Sequence, residues 1–494
     1  MDYKISVLPN EISLTAPEGA NLLDILRANN LAPDAPCGGK GTCGKCTVTV
    51  NGKKQLACQT AVCGDITVEL GSQEPLHILT TGIQRKAAMN PVKEGYLLAV
   101  DIGTTSVVCF LLDGKTGSEL ASASMRNPQT VFGADVISRI QAALGGALEE
   151  ESSVIRHGLG KLIGSVCKKA GIQPDEISVI CPVGNPAMQQ LFLGLNPQNL
   201  AAPPFSPILT KIDDVPCKDY LSLCPNARLL VIPDISGYVG ADTMGCVLST
   251  GLYECPDITL MVDIGTNGEM VLGNQDRMIA CSTAAGPALE GANIHFGMRG
   301  TNGAIDHAWQ EDGRIHVSVI GNGRARGICG SGLLDAVAVA LDMGLLNKRG
   351  RILSDQEADG QRVIYLTDEV YLTQEDIRQV QLAKGAIHAG IELMAAQIGI
   401  DLSDIRQVLL AGAFGTFLNP GSACRIGLLP ELLKDRITAV GNAAGSGAQL
   451  LVCSREIMAL CQHLRDKIEF IELASLPAFT KTFARSMSFR EEGK

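Results

Sequence analysis

YLLAVDIGTTSVVCFLLDGKTGSELASAS (residues 96–124) and ITLMVDIGTNGEMVLGNQDRMIACSTAAG (residues 258–286) follow one pattern. Each reads as an apolar strand, an Asp-Ile-Gly-Thr turn, a second strand, a tight turn and a third strand. Helices and further strands follow both copies. A single strand–glycine turn is common, but two DIGT turns at matched positions mark an internal duplication. From Tyr96 the chain therefore reads as one two-lobed α/β unit, with lobe I over 95–256 and lobe II, including C-terminal helices, over 257–494.

The turns carry chemistry suited to a nucleotide's phosphate tail. Gly103 and Gly265 let backbone come close to a ligand, and turn amides with the hydroxyls of Thr104, Thr105 and Thr266 can donate to phosphate oxygens. Asp101 and Asp263 repel phosphate but suit Mg2+ held largely through water. Facing turns would grip the β- and γ-phosphates from opposite lobes. No G-x4-GK[ST] loop occurs, so nucleotide binding here has to use this other solution. Two later segments, VLLAGAFGTFLNP (408–420) and VGNAAGSGAQLLV (440–452), end strands in glycine-rich corners. Each alone is as well explained by packing; behind two phosphate turns they suit close approach to adenine and ribose.

Working back to the N-terminus, CGGKGTCGKCTVTVNGKKQLAC spans 37–58. Cys37, Cys43 and Cys46 share a glycine-rich loop, and Cys58 follows a short hairpin. This is close to the plant-type arrangement that holds a [2Fe–2S] cluster, with a first gap of five rather than four residues and a last gap of eleven. Glycines 38, 39, 41 and 44 supply positive-φ positions and close backbone approach to the sulfurs. An all-thiolate zinc site is the competing reading, but such sites normally pair two ligand knuckles and only one is present. Cys63 is not needed as a ligand. Strand alternation at 3–15, a helix near 20–29 and strands near 46–50 and 66–70 give the order of a β-grasp ferredoxin over 1–71. Residues 72–94 lack periodicity, contain Pro75 and Pro91, and read as a linker.

Composition narrows the setting. With 54 glycines and 4% aromatics in 494 residues, the chain suits a multi-domain α/β protein with many tight turns. A net charge of -11 without a basic cluster argues against nucleic acid or an anionic membrane as partner. The N-terminus MDYKISVLPNEISL has no signal-peptide character, and the most apolar stretch, ICGSGLLDAVAVALDMGLL, carries Asp335 and Asp342 and reads as a buried helix. The remaining cysteines of the seventeen are scattered in apolar runs and read as reduced, buried thiols in the cytoplasm.

The order DIGTTS, DIGTNGE, LAGAFG resembles the acetate and sugar kinase, heat-shock ATPase and actin superfamily. Joined to an N-terminal [2Fe–2S] domain, it is similar to the reductive activators of corrinoid-dependent enzymes. NPQTVFGADVISRI (127–140), IPDISGYVGADTMG (232–245), STAAGPALEGANI (282–294), CGSGLLD (329–335), TQEDIRQVQLAKGAIHAGI (373–391) and GNAAGSGA (441–448) extend the likeness over nearly the whole chain. Two departures stand out: larger activators carry an extra domain where this chain has a linker, and VGNPAMQQLFLG (183–194) has Pro186 and Gln189–Gln190 where the family has Thr and His.

The resemblance implies an actin/sugar-kinase-like ATPase with duplicated RNase H-like subdomains, and an ATP-dependent electron injector that returns Co(II) corrinoid protein to Co(I). A plant-type cluster sits at about -400 mV, and each further 100 mV uphill costs about 2.3 kcal/mol per electron, so nucleotide-driven closure has to bias the transfer. By the same resemblance Asp101 and Asp263 organise Mg2+, while Thr104, Thr105, Thr266 and Asn267 contact phosphates. Gly412, Gly415 and Gly445 leave room for adenosine, and Glu290 or Glu269 polarises the attacking water or is a helix-start carboxylate without chemistry. The implied partners are a corrinoid protein of a methyltransferase system and a low-potential donor such as a ferredoxin; a homodimer is admitted but not required. A small-molecule kinase of the same fold, a ferredoxin module that only senses or binds, and an activator of a non-corrinoid metalloenzyme stay open at this point.

Overall fold

The computed structural model describes residues 2–9, 11–29, 31–33, 35, 39, 41, 44, 46–70 and 78–489. The N-terminal sheet contains β1 (Asp2–Leu8), β2 (Ile12–Pro17), β3 (Thr47–Val50), β4 (Lys53–Leu56) and β5 (Ile66–Glu69), in the order β2-β1-β5-β3-β4. Alternation along β1 turns Ile5 and Val7 onto its inner face. Against that face lies the helix Leu22–Ala28, burying Leu22, Leu23 and Leu26 and capped by Asn21, whose side chain accepts from the Leu23 N–H at 3.0 Å. This β-grasp unit has its own core, to which Val48 and Val68 also belong.

Lobe I is built on β6 (Tyr96–Ile102), β7 (Ser106–Leu112), β8 (Glu119–Arg126), β9 (Ile177–Gly184), β10 (Asp213–Pro216) and β11 (Arg228–Val231), ordered β10-β11-β9-β6-β7-β8. Lobe II repeats the plan. An antiparallel meander of β12 (Thr259–Ile264), β13 (Gly268–Gly273) and β14 (Met278–Thr283) is extended by parallel strands Gln407–Ala411 and Ile437–Gly441. Runs such as LLAV and LMV are apolar without alternation because helices cover both faces of these central strands. Parallel pairing sets Asp101 beside Val183 and Asp263 beside Ala411, so each Asp stands near the carboxyl end of its strand. In open α/β sheets that is where ligands bind.

The lobes are joined by two crossing helices, Ala241–Thr250 and Ala443–Cys453. The small-residue run AAGSGA makes the crossing possible: a Cβ on Gly447 would lie 2.1 Å from the carbonyl oxygen of Gly245. The later helix leaves lobe II and lies on the sheet of lobe I, so that one apolar core holds Leu97, Val108 and Phe110 with Met261, Val271 and Leu451. Ile78, Ile83, Ala87, Met89 and Val92, from the segment before β6, pack on the same core. The helix Gly330–Asp342 is buried along most of its length, and no described helix is long and apolar enough to cross a membrane.

Candidate nucleotide cleft and iron–sulfur loop

The two DIGT turns face each other across a cleft of about 580 Å³, within the range of small-molecule sites. Each turn is closed by a backbone bond from its glycine: Gly103 N–H donates to Ser106 O, three residues on, and Gly265 N–H to Asn267 O, two residues on, both at 2.9 Å. The first turn is supported from behind. Arg139 is fully buried and donates to Thr104 O at 2.5 Å and Gly133 O at 3.0 Å. Asp135 caps the helix Val136–Ala142. The side chain of Asn185 donates to Thr104 Oγ1 at 3.1 Å.

Glu290 lies between the turns. Thr105 of lobe I donates to its Oε2 at 2.7 Å, and Thr266 of lobe II donates to its Oε1 at 3.0 Å. At Gly265 a Cβ would meet nothing closer than Glu290 Oε1 at 3.7 Å, so the missing side chain leaves cleft space open. Asp101, Asp263 and Glu269 line the cleft, with Glu269 paired opposite Asp263 in the β12–β13 register. Asp242, unremarked in the sequence, joins them from the start of the helix Ala241–Thr250.

Each acid keeps an edge on the cleft while protein encloses the rest. Burial is the main force pushing Asp101 up to about 7; the amide of Asn442 opposes it and the charge of Asp263 adds to it. Burial likewise raises Asp242 to about 7, against a backbone bond from Thr243 and with the charges of Asp263 and Asp101. Asp263 rises to about 6 through burial, opposed by the Cys246 thiol and reinforced by Glu290. Glu269 is pushed well above the carboxylate range by burial and then by Asp242 and Asp263. Among the described residues no three acidic, thiol or imidazole groups converge closely enough to ligate one metal directly. Carboxylates raised by burial and, to a lesser degree, by one another fit a hydrated divalent cation, whose charge would bring them back down.

Of the three glycines expected beside adenosine, only Gly412 borders the cleft. Its φ of +80° lets the end of Gln407–Ala411 pass Asp263, whose Oδ1 would be 2.6 Å from a Cβ there. Gly415 and Gly445 do not border the cleft: a Cβ on Gly415 would press on Leu410 at 3.0 Å, and one on Gly445 would strike the Phe110 ring at 2.6 Å, so both allow close packing. Asn442 was missed, although an Asn just before a run of small residues is a helix-cap signal. Its side chain caps the helix Ala443–Cys453 through Gly445 N–H at 2.7 Å and donates to Asp101 Oδ2 at 2.9 Å. His307, also on the cleft and also missed, has Nδ1 3.0 Å from the buried Asp335.

In the N-terminal unit Cys46 and Cys58 are buried with sulfurs 3.3 Å apart and in no disulfide, close enough for one iron to share them. Cys37 and Cys43 lie outside the described residues. Gly39, Gly41 and Gly44 all have positive φ, as a loop wrapped around a cluster requires. Cys63 is exposed, away from the buried pair in character.

Comparison with known proteins bears on this pairing of sites. Residues 5–63 match the 2Fe-2S iron-sulfur cluster binding domain, 96–255 the RACo middle region, and 257–494 the C-terminal, ASKHA domain of RACo. The corrinoid activation enzyme RamQ of Eubacterium limosum is 37% identical over 487 residues, covering 90% of this chain and 80% of that protein. The chain belongs to the RACo family. A second relative of this RACo-family chain, the [Co(II) methylated amine-specific corrinoid protein] reductase of Methanosarcina barkeri, is 26% identical over 81% of this chain and 78% of that protein. The solved structure of a reductive activator for corrinoid,iron-sulfur protein superposes with a TM-score of 0.74 at 27% identity, over 99% of this chain and 98% of that one. The RACo architecture is thus an iron–sulfur β-grasp domain followed by an actin- and sugar-kinase-like ATPase fold, and what reads as lobe I is the family's middle region.

Proposed function

We propose that this protein is an ATP-dependent reductive activator, passing one electron from its [2Fe–2S] cluster to the Co(II) form of a corrinoid protein and yielding Co(I). The observation that carries this reading is the Thr105–Glu290–Thr266 bridge, which sets hydroxyls from both lobes around one anionic group on a chain that also buries a ferredoxin-type thiol pair. A cluster held by Cys37, Cys43, Cys46 and Cys58 supplies the one-electron chemistry. The protein's own residues bind and bias: Thr104, Thr105, Thr266 and Asn267 donate to phosphates, and Gly103, Gly265 and Gly412 keep backbone close to the ligand. Asp101 and Asp263, with Asp242, orient a hydrated Mg2+.

Glu290 is the better base for water, because its carboxylate already stands between the hydroxyls of the two turns. Burial, and then Asp242 and Asp263, push Glu269 well above the carboxylate range, which suits hydrogen-bond donation instead. Closure of the lobes on nucleotide tightens these contacts and alters how the corrinoid partner is held, which is the differential affinity that a biased transfer requires. The electron is replaced by a low-potential donor such as a ferredoxin, in the cytoplasm; a homodimer is compatible with the scheme and not needed by it. The working division is 1–71, 72–94, 95–256 and 257–494, with the crossing helix of lobe II completing lobe I. A kinase of the same fold would leave the thiol pair without a task.

The test mixes the reduced protein with a Co(II) corrinoid protein and follows the visible spectrum. ATP with Mg2+ should produce the Co(I) bands, and omission of ATP should not. Stable phosphoryl transfer to a small acceptor would favour the kinase instead.

A further inference from the structure

The segment between the ferredoxin unit and β6 is bolted to the hinge helix Ala443–Cys453 at both of its ends. Before the helix, Ile83 N–H donates to Val440 O at 3.0 Å, and Asn442 N–H donates to Thr81 O at 2.9 Å. Gly82 and Gly441 form an antiparallel bridge, so the segment covers the outer edge of Ile437–Gly441, the last strand of the lobe II sheet. After the helix, Asn90 N–H donates to Cys453 O and Arg455 N–H to Asn90 O, each at 2.9 Å. Between these points Ile83, Ala87 and Met89 are packed on the shared core. Ile78 and Leu79, just ahead of the first bolt, line the nucleotide cleft itself.

We propose that Ile78 and Leu79 form a wall of the nucleotide site and that residues 78–83 are the sensor through which nucleotide binding reaches the ferredoxin domain; this rests on the nucleotide reading above. Asn442 is the junction. Its side chain holds Asp101 of the first phosphate turn, its backbone N–H holds Thr81, and it caps the hinge helix. Any movement of Asp101 toward a bound cation therefore pulls on the segment that carries the ferredoxin unit. Coupling of this kind is reciprocal: a segment whose position changes nucleotide affinity is itself shifted by nucleotide to the same degree. Gly82 fits the role. A Cβ there would stand 2.4 Å from Asn442 O, so only glycine allows the segment to lie this close.

The experiment uses the full-length, cluster-loaded protein and measures ATP–Mg2+ affinity with amide hydrogen exchange over 78–90 and 437–446. In the wild type, nucleotide should slow exchange at Ile83 and Asn442 about tenfold, while Gly82→Val should weaken nucleotide binding about tenfold and abolish that protection. Because Gly82→Val disturbs backbone pairing, the double variant Ile78→Ser/Leu79→Ser, which leaves the backbone bonds of 81–83 in place, should weaken binding several-fold with helix content and cluster absorbance unchanged. Wild-type affinity in both variants, with exchange over 78–83 indifferent to ATP, would overturn the proposal. A wild type that binds no ATP would overturn it together with the nucleotide reading, and the wild-type measurement tells the two failures apart.

Discussion

Asn442 Nδ2 donates to Asp101 Oδ2 at 2.9 Å, tying the first residue ahead of the hinge helix in lobe II to the phosphate turn of lobe I. The same side chain caps the helix. Asn442→Ala removes both bonds. Loss of the cap should cost about 1 kcal/mol of stability, and ATP–Mg2+ binding should weaken as Asp101 loses the amide that favours its ionised form. Thermal unfolding and equilibrium binding of the variant check the two effects separately.

Glu290 holds Thr105 and Thr266 at once. Glu290→Gln keeps a side chain of the same shape without a carboxylate, so ATP should still bind while hydrolysis falls by about 10²-fold or more. Glu269→Gln should have a much smaller effect, since burial and its acidic neighbours push Glu269 well above the carboxylate range. Single-turnover hydrolysis of the two variants decides between the carboxylates.

The acid cluster sets a pH dependence. Asp101 and Asp242 stand near 7 and Asp263 near 6 in the folded protein, all above the ordinary value of 3.8. The folded state therefore holds more protons than the unfolded chain between about pH 4 and 7, and the contribution of these groups to stability is lost as pH rises through that window. Without nucleotide the protein should melt at lower temperature at pH 8 than at pH 6. ATP–Mg2+ needs the ionised acids, so its binding should tighten over the same range and release protons. Calorimetry in buffers of different ionisation enthalpy measures that release.

Much of this was legible in the residues. The duplicated DIGT segments fixed two equivalent sheets, and the first three strands of each fall where the pattern put them. Thr373 heads the helix Gln374–Ile398 with Asp376 completing a capping box, as S/T-x-x-acid spacing implies. What failed is instructive. Gly415 and Gly445 show the difficulty, because a glycine facing a ligand and a glycine facing a packed strand side chain look the same in one dimension. Asp242 and Asn442 were missed because they reach the cleft from elements far apart in sequence, brought together only by the helix crossing. Nothing local to Arg139 announces that its partners are the backbone carbonyls of Thr104 and Gly133.

The crossing gives a steric prediction. Gly447→Val places a branched side chain against the backbone of Gly245, which cannot retreat without separating the helices. Overpacking of this kind typically costs about 1–3 kcal/mol, and contact with backbone puts this case at the upper end. Calorimetric unfolding should show the ATPase transition shifted down. The visible cluster spectrum should be unchanged, because the β-grasp unit has its own core.

Cys46→Ser should abolish the visible absorbance of the cluster and electron delivery to Co(II), leaving nucleotide binding in place. Retained electron delivery would remove the buried thiol pair from the pathway.

That one helix of lobe II closes the core of lobe I has a consequence for biosynthesis. When the ribosome has made residues 95–256, the sheet face carrying Leu97, Val108 and Phe110 still lacks the helix Ala443–Cys453 that covers it. The first lobe must wait, with greasy surface showing, for nearly two hundred further residues to emerge. Chaperone demand during translation, and poor yield of the isolated first lobe, are built into the order in which this chain is read.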